Sequence, residues 1–175
     1  VGANALEAEF AMSSPELLKQ ITLSENPNSG IYNLRLESGS DSSIYAGFNS
    51  SNGNTIKRYD RAGNVSWQAF PNTERFTQYD HAWYDMDARS DDSIVYSGAG
   101  RRRDTGDWAS HISKVNASGN VEWYVETGNR SPRSITTGLN GDILVAGTIG
   151  SAYGYLARYS PNGVELSATT FSVAT

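Results

Sequence analysis

Over most of this chain apolar and polar residues alternate, giving a period of two and not the 3.6 of a helix. In the run Ile31 to Glu37, Tyr32, Leu34 and Leu36 fall on one side and polar residues on the other. That is the pattern of a strand with one buried face. Ser43 to Phe48, Asn54 to Asp60 and Asn64 to Phe70 follow, separated by Gly, Asn, Asp and Ser. Four strands joined by tight turns are predicted.

The same order returns twice. The copies read IYAGF…TIKRYDRAGNVSW, VYSGA…HISKVNASGNVEW and LVAGT…YLARYSPNGVEL, and Gly47, Gly98 and Gly147 recur at spacings of 51 and 49 residues. A period near 50 implies one four-stranded unit per copy, stacked radially or in an array. Three blades at about 31–70, 82–126 and 133–171 are expected inside a single β-repeat domain, 17–175. Leu17 to Leu23 reads as a further, leading strand, and 1–16 as a lead-in or linker in which Ser14, Pro15 and Glu16 suit a short helical turn. The turns DRAGN, NASGN and SPNG place Gly63, Gly119 and Gly163 where a hairpin with a bulge needs positive φ. Arg58, Lys114 and Arg158 precede these glycines by five residues each. A cation repeated in every unit meets a need of the unit, such as a nearby carboxylate or aromatic ring.

Composition narrows the function classes. The 175 residues suffice for one domain with a sizeable core and are too few for two ordinary ones. A net charge of −5 argues against general nucleic-acid binding, which needs a phosphate-neutralising surface. The chain has no cysteine, which removes disulfides, thiolate metal sites and a cysteine nucleophile. No apolar run is long enough for a membrane-spanning helix, so no membrane insertion is expected. No cofactor motif is present, and none is expected.

The stretch NGDILVAGT…GYLARYSPNGVEL, from Asn140 to Leu166, resembles the repeat of bacterial extracytoplasmic β-propellers. The other two copies share it through DWASHISKVNASGNVEW and TIKRYDRAGNVSW. The resemblance covers most of the chain and specifies a blade, not an activity. It implies an all-β fold and an extracellular, cell-surface or virion-surface setting. Propellers close with at least four blades, whereas this chain supplies three and a leading strand. The expectation is half of a ring, completed by a second chain or by further sequence of a larger parent protein.

The second copy departs from the others. Gly47 to Gly63 and Gly147 to Gly163 each span 16 residues, but Gly98 to Gly119 spans 21, with the insertion in GRRRDTGDW. In a propeller this 99–108 loop lies on the same face as the link PNTERFTQYDHAW, 71–83. Arg101, Arg102, Arg103 and Asp104 are thereby expected near Glu74, Arg75, Tyr79, Asp80, His81 and Trp83, with Trp108 as an exposed aromatic contact. Guanidinium groups clamp carboxylates, phosphates or sulfates, and the aromatics offer a stacking surface. The plain alternative is a solvated loop with internal ion pairs. His81 and His111 lack an orienting set for catalysis, and Asp85, Asp87, Asp91 and Asp92 do not match a calcium loop.

The sequence reading is thus a non-enzymatic binding or structural module. It is a self-assembling propeller scaffold with its recognition face on the 71–83 and 99–108 segments, and protein or glycan as ligand. A lectin using Trp108, Trp83 and Tyr79 is the alternative, and a hydrolase of the central channel is the third.

Overall fold

The computed structural model describes residues 7–9, 20–22, 32–50, 53–71 and 74–172, and of these the side chains of 7–9, 20–22, 32, 50 and 78–81 lie outside the description. All secondary structure among the described residues is β. A two-stranded antiparallel sheet pairs β1 (Glu7–Glu9) with β2 (Gln20–Thr22). The leading strand expected at 17–23 corresponds to β2, while β1 is a strand within a segment read as linker.

Three four-stranded antiparallel sheets follow as sequential meanders. The first blade comprises β3 (Tyr32–Ser38), β4 (Ile44–Ser50), β5 (Gly53–Tyr59) and β6 (Val65–Ala69). The second comprises β7 (Phe76–Ala88), β8 (Ile94–Arg102), β9 (Trp108–Val115) and β10 (Val121–Glu126). The third comprises β11 (Arg130–Thr137), β12 (Ile143–Ile149), β13 (Tyr153–Tyr159) and β14 (Glu165–Ser172). The predicted propeller-like blades are therefore present. The second blade begins at 76 rather than 82, and the third at 130 rather than 133.

Turn chemistry places these strands. Gly63, Gly119 and Gly163 have φ of 76°, 84° and 79°, and each closes a β-hairpin by donating its N–H to Asp60, Asn116 or Ser160. The cations five residues earlier are tied to their own blade. Arg58 meets Asp41 at 2.6 Å, Lys114 meets Asp91 at 3.4 Å, and Arg158 Nε donates to Asp142 at 2.7 Å. In each blade the carboxylate sits at the turn between the first and second strands.

The register corrects one alignment. Ile44 pairs with Tyr59, Ile94 with Val115, and Ile143 with Tyr159, so these three isoleucines are equivalent. Phe48, not Gly47, then matches Gly98 and Gly147. The glycines answer different demands. At Gly47 a Cβ would lie 2.5 Å from Trp83 Cζ2 of the next blade, and at Gly98 it would lie 2.6 Å from the Ala82 carbonyl.

Blades pack face to face. Tyr45 and Ile56 meet Trp83, Met86, Ile94, Tyr96 and Val115 between the first and second. Val95 and Ile112 meet Ile135, Ile143, Val145, Tyr155 and Tyr159 between the second and third. Each fully buried aliphatic or aromatic side chain here contributes about 1.5–3 kcal/mol relative to exposure. Polar contacts fix the stagger. Trp67 Nε1 donates to the Ala117 carbonyl at 2.9 Å, and Trp123 Nε1 to the Pro161 carbonyl at 3.1 Å. In both cases the indole covers the hairpin glycine of the following blade, Gly119 or Gly163. Arg58 pairs with Trp67, Lys114 with Trp123, and Arg158 with Ser167. Ser167 is therefore the third-blade counterpart of the tryptophans.

Asp85 and Asp87 on β7 complete the second junction. Asp85 Oδ2 accepts from Ser134 Oγ at 2.9 Å and from the Ile135 N–H at 3.0 Å, and Asp87 Oδ2 accepts from the Thr137 N–H at 2.7 Å. These carboxylates satisfy edge amides of β11, which a sheet edge needs when a neighbour covers it. Among the described residues no group of acids and histidines is arranged to hold a metal ion.

Candidate charged cleft on the second blade

The five-residue insertion lengthens a hairpin and does not form a loose loop. β8 runs to Arg102, β9 starts at Trp108, and Arg101 pairs with Trp108. At the tip the Arg102 N–H donates to the Asp107 carbonyl at 2.8 Å, and Gly106 takes φ 77° to close the turn. The link read as 71–83 is likewise mostly strand, because β7 extends back to Phe76 to pair with Arg102. The two irregular segments do converge. Their meeting is fixed by the Arg103 N–H, which donates to the Arg75 carbonyl at 2.9 Å.

Between them lies an open cleft of about 440 Å³ lined by Glu74, Arg75, Arg102, Arg103, Asp104 and Glu126. Arg102 forms an ion pair with Glu126, whose other carboxylate oxygen accepts from Tyr124 Oη at 3.0 Å. The Arg75 guanidinium stands 4.7 Å over the Tyr124 ring. Burial pushes the Tyr124 phenol up to about 12, overcoming the opposing pull of Arg75 and Arg102, so it is a hydrogen-bond donor at neutral pH. Beneath, His111 is fully buried and stacks on Phe76 with centroids 5.0 Å apart, flanked by Tyr124 at 5.2 Å and Tyr96 at 5.7 Å. The cleft therefore has a stiff aromatic floor and a rim of mixed charge.

The expected site residues divide. Arg102, Arg103 and Asp104 line the cleft. Arg101 and Trp108, a cross-strand pair one residue out of phase with Arg102, project from the opposite face of the hairpin, where Trp108 is 55% exposed. Trp83 leaves the group. It is 1% exposed and stacked on Tyr96 at 4.5 Å with an interplanar angle of 5°, because the β-bulge between Trp83 and Asp85 turns it into the core between the first two blades. Tyr79 and His81 lie on β7, and their side chains fall outside the description. Glu126 and Tyr124 were not anticipated. The available signal was the alternation in Val121–Glu126, which places Tyr124 and Glu126 on one face, and the register that sets Glu126 opposite His111.

No protein-family model matches the chain, and no curated protein does. Solved structures do match. One is described as the crystal structure of the eukaryotic initiation factor, at 13% identity and a TM-score of 0.42, over 89% of this chain and 46% of that one. This chain thus spans about half the length of that neighbour. A likeness that slight carries no functional weight. The comparisons add nothing for or against the bacterial propeller repeat, and the fold rests on the sheets themselves.

Proposed function

We propose that this chain is a non-enzymatic recognition module that uses the cleft on its second blade to bind a polypeptide segment bearing acidic side chains. The observation that carries this reading is the convergence of Arg75, just before β7, with Arg102 and Arg103, at the end of β8 and in the turn after it, around one cleft where the repeat is interrupted. Arginine forks match carboxylates in geometry as well as charge. The fixed backbone means that little ordering cost is incurred on binding. Glu74, Asp104 and Glu126 on the same rim temper the positive potential and disfavour polyanions such as nucleic acid.

The test is binding of the whole chain to an array of acidic, basic and mixed-charge peptides beside a glycan array, at low and high salt. Acidic peptides are expected to bind, with salt sensitivity, and Arg103→Glu should weaken them by about ten- to a hundredfold, the worth of one charge-assisted hydrogen bond. Glycan binding lost in Trp108→Ala would replace this reading with the lectin. Absence of peptide binding, or binding indifferent to Arg103→Glu, would overturn it.

A further inference from the structure

The ion pair between Arg102 and Glu126 has the geometry of a contact that can be exchanged. Arg102 uses one nitrogen in it: Nη2 donates to Glu126 Oε2, while Nε, which is buried, makes no hydrogen bond among the described residues. A guanidinium meets a carboxylate best through two parallel N–H···O bonds, and a buried N–H left without an acceptor is costly. Glu126 does not close that fork because its other oxygen, Oε1, accepts from the Tyr124 phenol at 3.0 Å. Its carboxylate bridges phenol and guanidinium and leaves the arginine half used. The pair is also able to open, since its two side chains keep 34% and 36% of their surface exposed. The backbones beneath are fixed: Arg102 pairs with Phe76, Glu126 pairs with His111, and the Thr127 N–H donates to the Ser110 carbonyl at 2.9 Å. A change of partner at Arg102 therefore takes only rotation of the Glu126 side chain, which is fast at an exposed position.

We infer that Glu126 is an internal competitor for the cleft: it occupies Arg102 in the unliganded protein as a stand-in for a ligand carboxylate, and an arriving acidic side chain displaces it and closes the fork on Nε and Nη2. The inference rests on the reading of the cleft as a site for acidic segments, and it adds how that site is regulated. Glu126 thus differs from the other acids of the rim. Glu74 is exposed, and Asp104 turns its Oδ1 to the Thr105 N–H at 2.8 Å. Those two act on a ligand through their field, which solvent screens, whereas Glu126 must be physically replaced. A single carboxylate exchanges like for like at Arg102 and gains little there. Net affinity has to come from contacts at Arg75 and Arg103 as well, which a segment carrying several acids supplies.

The test is fluorescence anisotropy of a labelled hexaglutamate peptide with the whole chain at low salt, with urea midpoints measured alongside to show that each variant is folded. Glu126→Gln keeps the shape and an acceptor for the Tyr124 phenol while removing the charge at Arg102. It should tighten binding about five- to tenfold, the worth of a partly exposed ion pair that no longer has to be displaced. Glu74→Gln removes the same charge from the same rim and should tighten binding by about twofold at most. In the nitrogen-labelled wild-type chain, the Arg102 Nε–H resonance should shift as the peptide saturates the cleft, because a new acceptor reaches it. Binding that appears only in Glu126→Gln would support the inference. Equal gains in the two variants, no gain in Glu126→Gln, or an Arg102 Nε–H unmoved at saturation would each overturn it while leaving the acidic-segment reading in place. No binding by either the wild type or Glu126→Gln would overturn both.

Discussion

Replacing Trp123 with alanine should loosen the second and third blades, and the size of the effect can be worked from the contacts. The indole is partly buried against the core between these blades, covers Gly163 at about the closest approach a Cβ there would allow, and donates to the Pro161 carbonyl at 3.1 Å. A fully buried tryptophan truncated to alanine costs about 3–5 kcal/mol. Partial exposure removes roughly half of that, and the lost hydrogen bond returns about 1 kcal/mol. The expected loss is about 2.5–3.5 kcal/mol, or roughly 5–14 °C in Tm for a chain of this size. Urea unfolding followed by far-ultraviolet circular dichroism measures it, with Trp123→Phe retaining most of the packing and Trp108→Ala as the exposed control, expected within about 0.5 kcal/mol of wild type. A Trp123→Ala loss no larger than that of Trp108→Ala would show that the indole does not couple the blades.

Further outcomes follow from the same contacts. Asp85→Ala removes the acceptor for two β11 donors and should cost about 1.5–3 kcal/mol by urea unfolding, whereas Arg102→Met, which breaks an ion pair on an open rim, should cost about 1 kcal/mol or less. Gly119→Ala should cost about 1–2 kcal/mol, since the residue sits at φ 84° and a Cβ would lie 3.1 Å from the Trp67 ring. Burial first, then Asp87 and Asp85, hold the Glu37 carboxyl above its ordinary range. A carboxyl raised in the folded state favours folding while protonated, and that advantage is lost as pH rises from the unfolded value through the folded one. Glu37→Gln should therefore raise the neutral-pH unfolding midpoint, with the gain vanishing in acid; a gain that persists in acid would refute the assignment.

The strands and hairpins were legible because period-two alternation and turn glycines are local signals, read without knowing what packs on them. Gly119 and Gly163 announce their turns in five residues of sequence. What escaped depends on irregular pairing. A bulge at Trp83 to Asp85 changes which side of β7 faces the first blade, and so carries an aromatic that reads as part of a link into the core. The first-blade glycine slipped one place for a similar reason, since Gly47 makes room for Trp83 and Met86 of another blade and not for its own first strand. The extent of β7 was hidden because 76–80 becomes strand through pairing with a hairpin that is itself an insertion. The convergence of 71–83 with 99–108 was readable from topology alone, while the contribution of Glu126 and Tyr124 required the register of β10.

The placement of the cleft has a mechanical rationale. In a stacked array each unit is stabilised by its neighbours, so a terminal blade is held on one face and an internal blade on two. The cleft stands on the second blade, whose two faces are both buried, and its floor residues His111, Tyr96 and Phe76 are themselves core. Arg103 is positioned by a backbone bond to Arg75, and Arg102 by its carboxylate partner and by strand pairing on both sides. Such a site presents its guanidinium groups at little entropic cost and gains affinity from geometry more than from the number of charges. An insertion of the same length on the third blade would lie on a sheet that, among the described residues, packs on one face only, where fluctuation of the blade would move the binding groups. Grafting 99–108 into the equivalent third-blade hairpin should therefore preserve the charge and lose most of the affinity, a result that would separate preorganisation from electrostatics.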